Sequence, residues 1–181
     1  MRLFSSDDDA RRWLPVAGLN EHPTRTTWEP SKGCFAVHSI YVDPRQPRNI
    51  VAAVSAGGVY RSDDGGDTWQ AANEGVRAEN LPERYPETGH NVHRVVMHPT
   101  LTSRLYRQCY NGTYRSDDGG RSWTEITAGL PSDFGYGIVT GSLCAPREKK
   151  GEQLYAFCMD FPFDSMLGDQ QNWQTTIGDF I

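Results

Sequence analysis

The apolar positions of this chain fall in short runs set apart by Gly, Asp and Asn turns. Ile50-Val-Ala-Ala-Val54 and Leu105-Tyr-Arg-Gln-Cys109 are two such runs. Each follows a mixed apolar and polar stretch, Val37-His-Ser-Ile-Tyr-Val-Asp-Pro44 before the first and Val92-His-Arg-Val-Val-Met-His-Pro99 before the second. Runs this short, bounded by turn residues, predict strands. The first full repeat is expected to hold strand A at about 36–42, B at 50–55, C at 58–62 and D at 68–72, with ends uncertain by about 2–4 residues. Gly57-Gly58 and Asn111-Gly112 mark the B–C turns.

The repeat is written most clearly where strand C runs into strand D. Arg61-Ser-Asp-Asp-Gly-Gly-Asp-Thr-Trp69 recurs as Arg115-Ser-Asp-Asp-Gly-Gly-Arg-Ser-Trp123, a period of 54 residues between the two tryptophans. A worn copy, Ser6-Asp-Asp-Asp-Ala-Arg-Arg-Trp13, keeps Ser6, Asp8 and Trp13 but has Ala10 in place of glycine. A further unit is an echo: Leu154 to Trp173 spans the same distance as Ile50 to Trp69, with Met166, Gly168 and Gln170 where the box residues stood. Four-stranded units of this length predict an all-β propeller built from antiparallel meanders. The divisions are a C–D half blade at 1–20, blades at 21–75 and 76–129, and a degenerate blade at 130–181. Such a ring of about three to four blades does not close by itself, so the missing blades come from another copy or from residues outside this chain, and its open blade faces invite self-association.

Composition narrows the class. Of 181 residues 37% are hydrophobic and 11% aromatic, enough for a real core. A net charge of -5 with no stripe of Lys and Arg gives no field for nucleic acid. No stretch approaches the roughly 20 apolar residues of a membrane helix, and the start, with acids at positions 7, 8 and 9, lacks an export signal. The chain is expected to be soluble and cytoplasmic. Cys34, Cys109, Cys144 and Cys158 have no metal-ligand spacing and are expected as reduced thiols. Asn111-Gly112-Thr113 is read as a hairpin turn.

The boxes Ser62, Asp64, Gly66, Thr68, Trp69 and Ser116, Asp118, Gly120, Ser122, Trp123 meet the pattern S-x-D-x-G-x-[ST]-W in full. At these residues the chain resembles the Asp-box, or BNR-repeat, proteins, and in particular the sialidase-like glycosyl hydrolases, through Gly58-Val-Tyr-Arg-Ser-Asp-Asp-Gly-Gly and Gly129-Leu-Pro-Ser-Asp-Phe-Gly135. The resemblance covers roughly residues 1–140 and implies a propeller with possible carbohydrate binding. Physically the box is a hairpin staple: its Asp accepts from turn amides, its Gly allows positive φ, and its Trp covers the hairpin base. Calcium binding or paired catalytic carboxylates at Asp63, Asp64, Asp117 and Asp118 is the lesser reading, since calcium asks for six or more oxygens in one place and the boxes sit one per blade. No metal and no cofactor is expected.

Because the boxes occupy the C–D turns, a site belongs on the opposite face, among the D–A connections 14–35, 73–91 and 128–135 and the B–C turns. His38 and His93 are repeat equivalents that open the innermost strands, and Tyr136 takes the matching place in the next unit. They are read either as channel-lining residues bonded to backbone or as a polar ring that holds a ligand. A sialidase needs an arginine cluster, a Tyr–Glu pair and an acid, and Arg25, Arg77, Arg84 and Arg94 with Tyr85 or Tyr136 are the candidates. An inverting glycosidase needs two carboxylates, for which Glu21, Glu83 and Asp133 are the candidates. The leading expectation is a propeller scaffold that binds a glycan or protein with incomplete catalytic machinery. The alternatives are a glycoside hydrolase with its site on the D–A loop face and an assembly factor that binds a protein partner.

Overall fold

The structure, a computed structural model, describes residues 2–28, 37–78, 81–142 and 152–158. Two four-stranded antiparallel meanders form its centre. The first runs β3 (Val37–Val42), β4 (Ile50–Val54), β5 (Gly58–Ser62) and β6 (Gln70–Ala71), and the second runs β7 (Val92–Met97), β8 (Leu105–Cys109), β9 (Gly112–Ser116) and β10 (Thr124–Glu125). A two-stranded piece precedes them, β1 (Phe4–Ser5) with β2 (Leu14–Pro15), and a two-stranded piece follows, β11 (Gly135–Ser142) with β12 (Glu152–Cys158). The strand order of the two meanders is the one expected from the repeat, and the echo that runs to Trp173 lies outside the described residues. Strand D is shorter than its expected span because only Gln70 and Ala71 pair with strand C before the chain leaves the sheet. A four-residue helix, α1 (Ala17–Asn20), and a 3-10 turn over Pro23–Thr27 fill the first D–A connection.

Registers repeat as closely as the sequence does. Ala52 stands opposite Ile40 and Tyr60 in the first blade, Arg107 opposite Val95 and Tyr114 in the second, and Ala156 opposite Ile138 in the third unit. Each innermost strand carries a register shift at its start: between Val37 and Ser39, between Val92 and Arg94, and between Gly135 and Gly137. The residue inside each irregularity is His38, His93 or Tyr136. An extra residue of this kind bends the strand and re-aims the side chain it carries. A repeat of the irregularity in all three units is therefore a feature of the fold and not of one blade.

Both boxes close by the same bonds. Ser62 Oγ accepts from the Gly66 amide at 2.8 Å and donates to Asp64 Oδ1 at 2.7 Å, and Asp64 accepts from the Thr68 amide and hydroxyl. Ser116, Asp118, Gly120 and Ser122 repeat that set. The worn copy keeps it in part, with the Ala10 amide bonded to Ser6 Oγ at 3.0 Å and the Arg12 amide to Asp8 at 2.9 Å. There Asp9 and Ala10 adopt φ of 57° and 61°, the strain that a glycine would relieve.

The tryptophans do more than cap a hairpin. Trp123 is buried among Val51, Ala53, Val59, Val76, Val95 and Leu105, a core shared by the two blades, and its indole N–H donates to the Ala72 carbonyl of the preceding blade at 2.9 Å. Trp69 is likewise buried among Leu19, Trp28, Ala52, Val54 and Tyr60. Each rests on a glycine step just past strand D of the blade before. A Cβ on Gly75 would stand 2.2 Å from the Trp123 carbonyl, and one on Gly18 would stand 2.2 Å from the Asp67 carbonyl. The Trp123 amide bonds to the Glu74 carbonyl at 2.9 Å, which locks the step. Trp13, the third equivalent, is 60% exposed, against 6% for Trp69 and 4% for Trp123.

The close approach at Gly75 makes a testable contrast. Gly65 and Gly75 share a positive φ, 87° and 84°, but among the described residues no atom lies within 4 Å of a Cβ at Gly65. Gly65→Ala is expected to cost about 1–2 kcal/mol, the left-handed penalty alone. Gly75→Ala is expected to cost clearly more in urea unfolding, because the methyl meets the Trp123 backbone.

Candidate functional site

The innermost strands begin beside the B–C turns, since Val37 pairs with Val54 and Val92 with Cys109. The irregular starts, the B–C turns and the D–A connections therefore share one end of the blades, and the boxes lie at the other. At the first end His93 places Nδ1 2.7 Å from the Gly135 carbonyl. A carbonyl only accepts, so in the neutral ring Nδ1 carries the proton. The imidazole stands edge-on to Phe134 at 5.5 Å and to Tyr110 at 6.4 Å, and Tyr110 and Phe134 meet edge to face at 5.1 Å. All three rings are half-buried. Burial lowers the pKa of His93; its bond to Gly135 opposes that shift and the charge of His38 adds to it.

Next to these rings lies an ion-pair cluster. Arg77 reaches both oxygens of Glu125, at 3.2 and 3.3 Å, and Asp133 at 3.0 Å. Burial works against its charge, but the two carboxylates outweigh this and hold the guanidinium more firmly protonated than usual. Asp133 is built in further by its backbone, whose carbonyl accepts from the Gly112 amide at 3.0 Å and from Gln108 Nε2 at 3.3 Å. The cluster thus ties the start of one D–A connection to strand D of the second blade and to the next connection.

The other candidates are placed apart from it. Glu21 caps α1 and is exposed, and Glu83 is exposed within the bends of 81–85. Arg84 lies 5.6 Å over the ring of its own neighbour Tyr85, and both are exposed. Arg25 lies 5.6 Å over the Trp28 ring, inside a connection that is anchored to the first blade. There Trp28 Nε1 donates to the Tyr60 hydroxyl at 2.5 Å, and His22 Nε2 bonds to the Trp69 carbonyl at 3.1 Å. His38 is exposed, and the side chain of Tyr136 lies outside the described residues. The structure therefore brings together Arg77 with Asp133, leaves Glu21 and Arg25 on the first D–A connection, and puts Glu83, Arg84 and Tyr85 on the same connection as Arg77, where the Ala78 amide donates to the Arg84 carbonyl at 2.8 Å.

The residues that sequence reasoning missed are Tyr110, Phe134 and Glu125. The first two carried a signal: Tyr110 precedes the Asn111-Gly112 turn, and Phe134 precedes the strand that Tyr136 opens. A buried arginine was also missed. Arg107 is 0% exposed, bonds through Nε to the Cys109 sulfur at 2.6 Å and through Nη1 to Asn73 Oδ1 at 2.7 Å, and lies 5.6 Å over Trp123. Among the described residues its Nη2 has no hydrogen-bond partner. The first blade has Ala52 at this position, so the repeat did not foretell it. Cys109 is a free thiol whose pKa is pushed up by burial, in spite of Arg107.

At the box end, Thr68, through its hydroxyl and then its amide, and then Ser62 hold the Asp64 carboxyl below the usual range. Partial burial pulls Asp118 the other way, but bonds from Ser122 and Ser116 overcome it. Both carboxylates are thus used up within their own turns. Among the described residues no group of three or more His, Cys, Asp or Glu side chains is placed to hold a metal ion. A cleft of about 190 Å³ does open between the blades on this side, lined by Tyr41, Asn49, Arg61, Ser103 and Arg121 among others. Arg61 spans it, donating to the Gly119 carbonyl at 2.7 Å and pairing with Asp63, which Arg121 also meets at 3.2 Å.

Buried histidines set the pH response. Burial, and then the charge of Arg107, lower the pKa of His90 to about 3. The unfolded chain binds this proton near pH 6.5, so the contribution is whole above about pH 6.5 and is lost as pH falls towards the folded value. Stability in urea is expected to fall from pH 6.5 to 5 by up to about 1.4 kcal/mol per unit for this group. His90→Gln is expected to flatten that slope, leaving the smaller part due to His93.

No protein-family profile and no curated protein matches the chain. Among solved structures it is similar to a GH74 xyloglucanase from Xanthomonas campestris, with 22% identity, a TM-score of 0.50, and coverage of 86% of this chain and 25% of that one. It is similar also to a GH74 enzyme from Niastella koreensis, with 20% identity, a TM-score of 0.49, and coverage of 78% and 20%. An ancestral GH74 enzyme gives 20% identity, a TM-score of 0.42, and coverage of 57% and 12%. The chain thus spans a quarter or less of these structures. At such identity the Xanthomonas likeness bears on fold alone, and the fold it supports, with the paired meanders above, is that of an incomplete β-propeller.

Proposed function

We propose that the chain is a scaffold of the Asp-box, sialidase-like kind that binds a glycan through the loop end of its second blade and does not itself cleave glycosides. One observation carries this reading. The half-buried rings of His93, Tyr110 and Phe134 form an edge-to-face cluster beside Arg77 and Asp133. Aromatic surface next to a few placed polar groups is the usual make-up of a small-ligand site, and sugar rings stack on such surface by their C–H faces. The carboxylate that precedes Phe134 in the chain, Asp133, is taken by Arg77, and Glu125 is taken by the same guanidinium. Glu21 and Glu83 are exposed.

The Xanthomonas protein is named a xyloglucanase, so β-linked glucan oligosaccharides are the first probes to use, followed by sialosides. Calorimetry is expected to show weak binding to one of these and loss of that binding, by about tenfold or more, in Tyr110→Ala and Phe134→Ala, given roughly 1.4 kcal/mol per tenfold. Release of chromophore from aryl glucosides or sialosides is expected to stay at the background rate. Turnover that disappears in Asp133→Asn contradicts the reading and makes the chain a hydrolase with its site on the D–A loops.

A further inference from the structure

We infer that the cleft at the box end of the seam between the two complete blades is a binding site for one uncharged sugar unit, separate from the loop-end surface. The cleft is bounded by the A–B turn and strand C of the first blade and by the A–B turn and box of the second, and it encloses about 190 Å³. A water molecule's share of the liquid is about 30 Å³, so the space is that of about six waters. Sites for drug-sized ligands run to roughly 300–1,000 Å³. The room here suits a single sugar ring and not an oligosaccharide.

Apolar and polar groups are both placed around this space. Val51 and Leu105, buried in the second strands of the two blades, line it with Met97, which packs on the core that the blades share. Tyr41, Thr102 and Ser103 line it as well. Among the described residues the hydroxyls of these three form no hydrogen bond, so each is left to a ligand. A hydroxyl both donates and accepts, which matches the hydroxyls of a sugar, while the C–H face of the ring suits the apolar side chains.

Arg61 holds the two sides of the cleft at a fixed distance. Its Nη1 donates to the Gly119 carbonyl of the second box at 2.7 Å and its Nη2 pairs with Asp63 of the first, so the side chain bridges the boxes and is 7% exposed. Its Nε is buried and has no partner among the described residues. A buried donor without an acceptor is costly. A ligand oxygen held in the cleft that Arg61 lines supplies that acceptor.

Charge selects a neutral ligand. Arg61 and Arg121 share Asp63, and Asp118 spends its oxygens on its own turn. No guanidinium is left over for an anion, and Asp43, which accepts from the Arg45 amide, falls far short of the oxygens that a cation needs. Its carboxylate can instead accept from sugar hydroxyls, a charge-assisted bond. The repeat does not demand these residues: one repeat on from Tyr41, Asp43 and Asn49 the chain has Val96, His98 and Arg104. The polar lining thus belongs to this seam alone, as a site requires and a structural staple does not.

Nuclear magnetic resonance of the isotope-labelled full chain, titrated with the methyl glycosides of glucose, galactose and mannose, tests this at the Arg61 Nε–H and the Gly119 amide. At least one glycoside is expected to move both signals saturably, with a dissociation constant on the order of 1 mM for so small a ligand. Tyr41→Phe combined with Ser103→Ala removes two hydroxyls that hold nothing else, and is expected to weaken binding by about tenfold or more while keeping the urea midpoint of the parent. Tyr110→Ala, at the loop end, is expected to leave the constant unchanged, which tells a failure there from a failure here. No saturable shift with any of the three glycosides at tens of millimolar overturns the inference. So does binding that survives the double variant, binding that Tyr110→Ala abolishes, or acetate that binds more tightly than the glycosides and makes the cleft an anion site.

Discussion

The contact on which the rest depends is that of a box tryptophan with the glycine step of the blade before it. Burying Trp123 against Val59, Val76 and Leu105 removes one of the largest apolar side chains from water. That burial needs the Ala72 carbonyl free to accept the indole N–H and needs Gly75 without a side chain. The box itself exists to deliver the ring there. Ser116 and Asp118 close the turn, and strand D begins only after the tryptophan has been set in the seam. A meander of four short strands cannot bury both of its faces alone, so the repeat becomes stable only as a stack.

The same arrangement decides where chemistry can lie. Asp64 and Asp118, the acids that stand out in the sequence, spend their oxygens on amides and hydroxyls of their own turns. The opposite end carries the repeated strand irregularity at His38, His93 and Tyr136, and there the second blade adds Tyr110, Phe134 and the Arg77 cluster. Arg77 and Asp133 hold neighbouring loops in place, which gives the aromatic rings a fixed spacing. A binding surface gains from such rigidity, because less motion is lost when a ligand is held.

The blades were legible in the sequence because each depends on local pattern: Gly57-Gly58 and Asn111-Gly112 turn the chain, and the two boxes recur at a fixed spacing. The Gly18, Gly75 and Gly129 steps were written there too, each five or six residues after a tryptophan, but a lone glycine past a strand reads as any loop glycine until its neighbour is seen. Site residues were less legible because nothing local links them. Arg77 meets Asp133 across 56 positions, and His93 meets Gly135 across 42. Arg107 was hidden for another reason: it stands where the first blade has Ala52, and a repeat predicts sameness, not the exception that puts a guanidinium over the face of Trp123.

The central claim, that the recurring tryptophans are equivalent pins between stacked blades, is tested most directly by hydrogen exchange at the indole N–H groups followed by nuclear magnetic resonance. Trp69 and Trp123 donate to the Gly66 and Ala72 carbonyls and are both buried. The account predicts that both exchange slowly, with protection that tracks global stability, since the Trp123 bond crosses to the blade before and Trp69, bonded within its own box, is buried against Leu19 and the Gly18 step. Fast exchange at either one, or protection that differs by orders of magnitude between them, contradicts it.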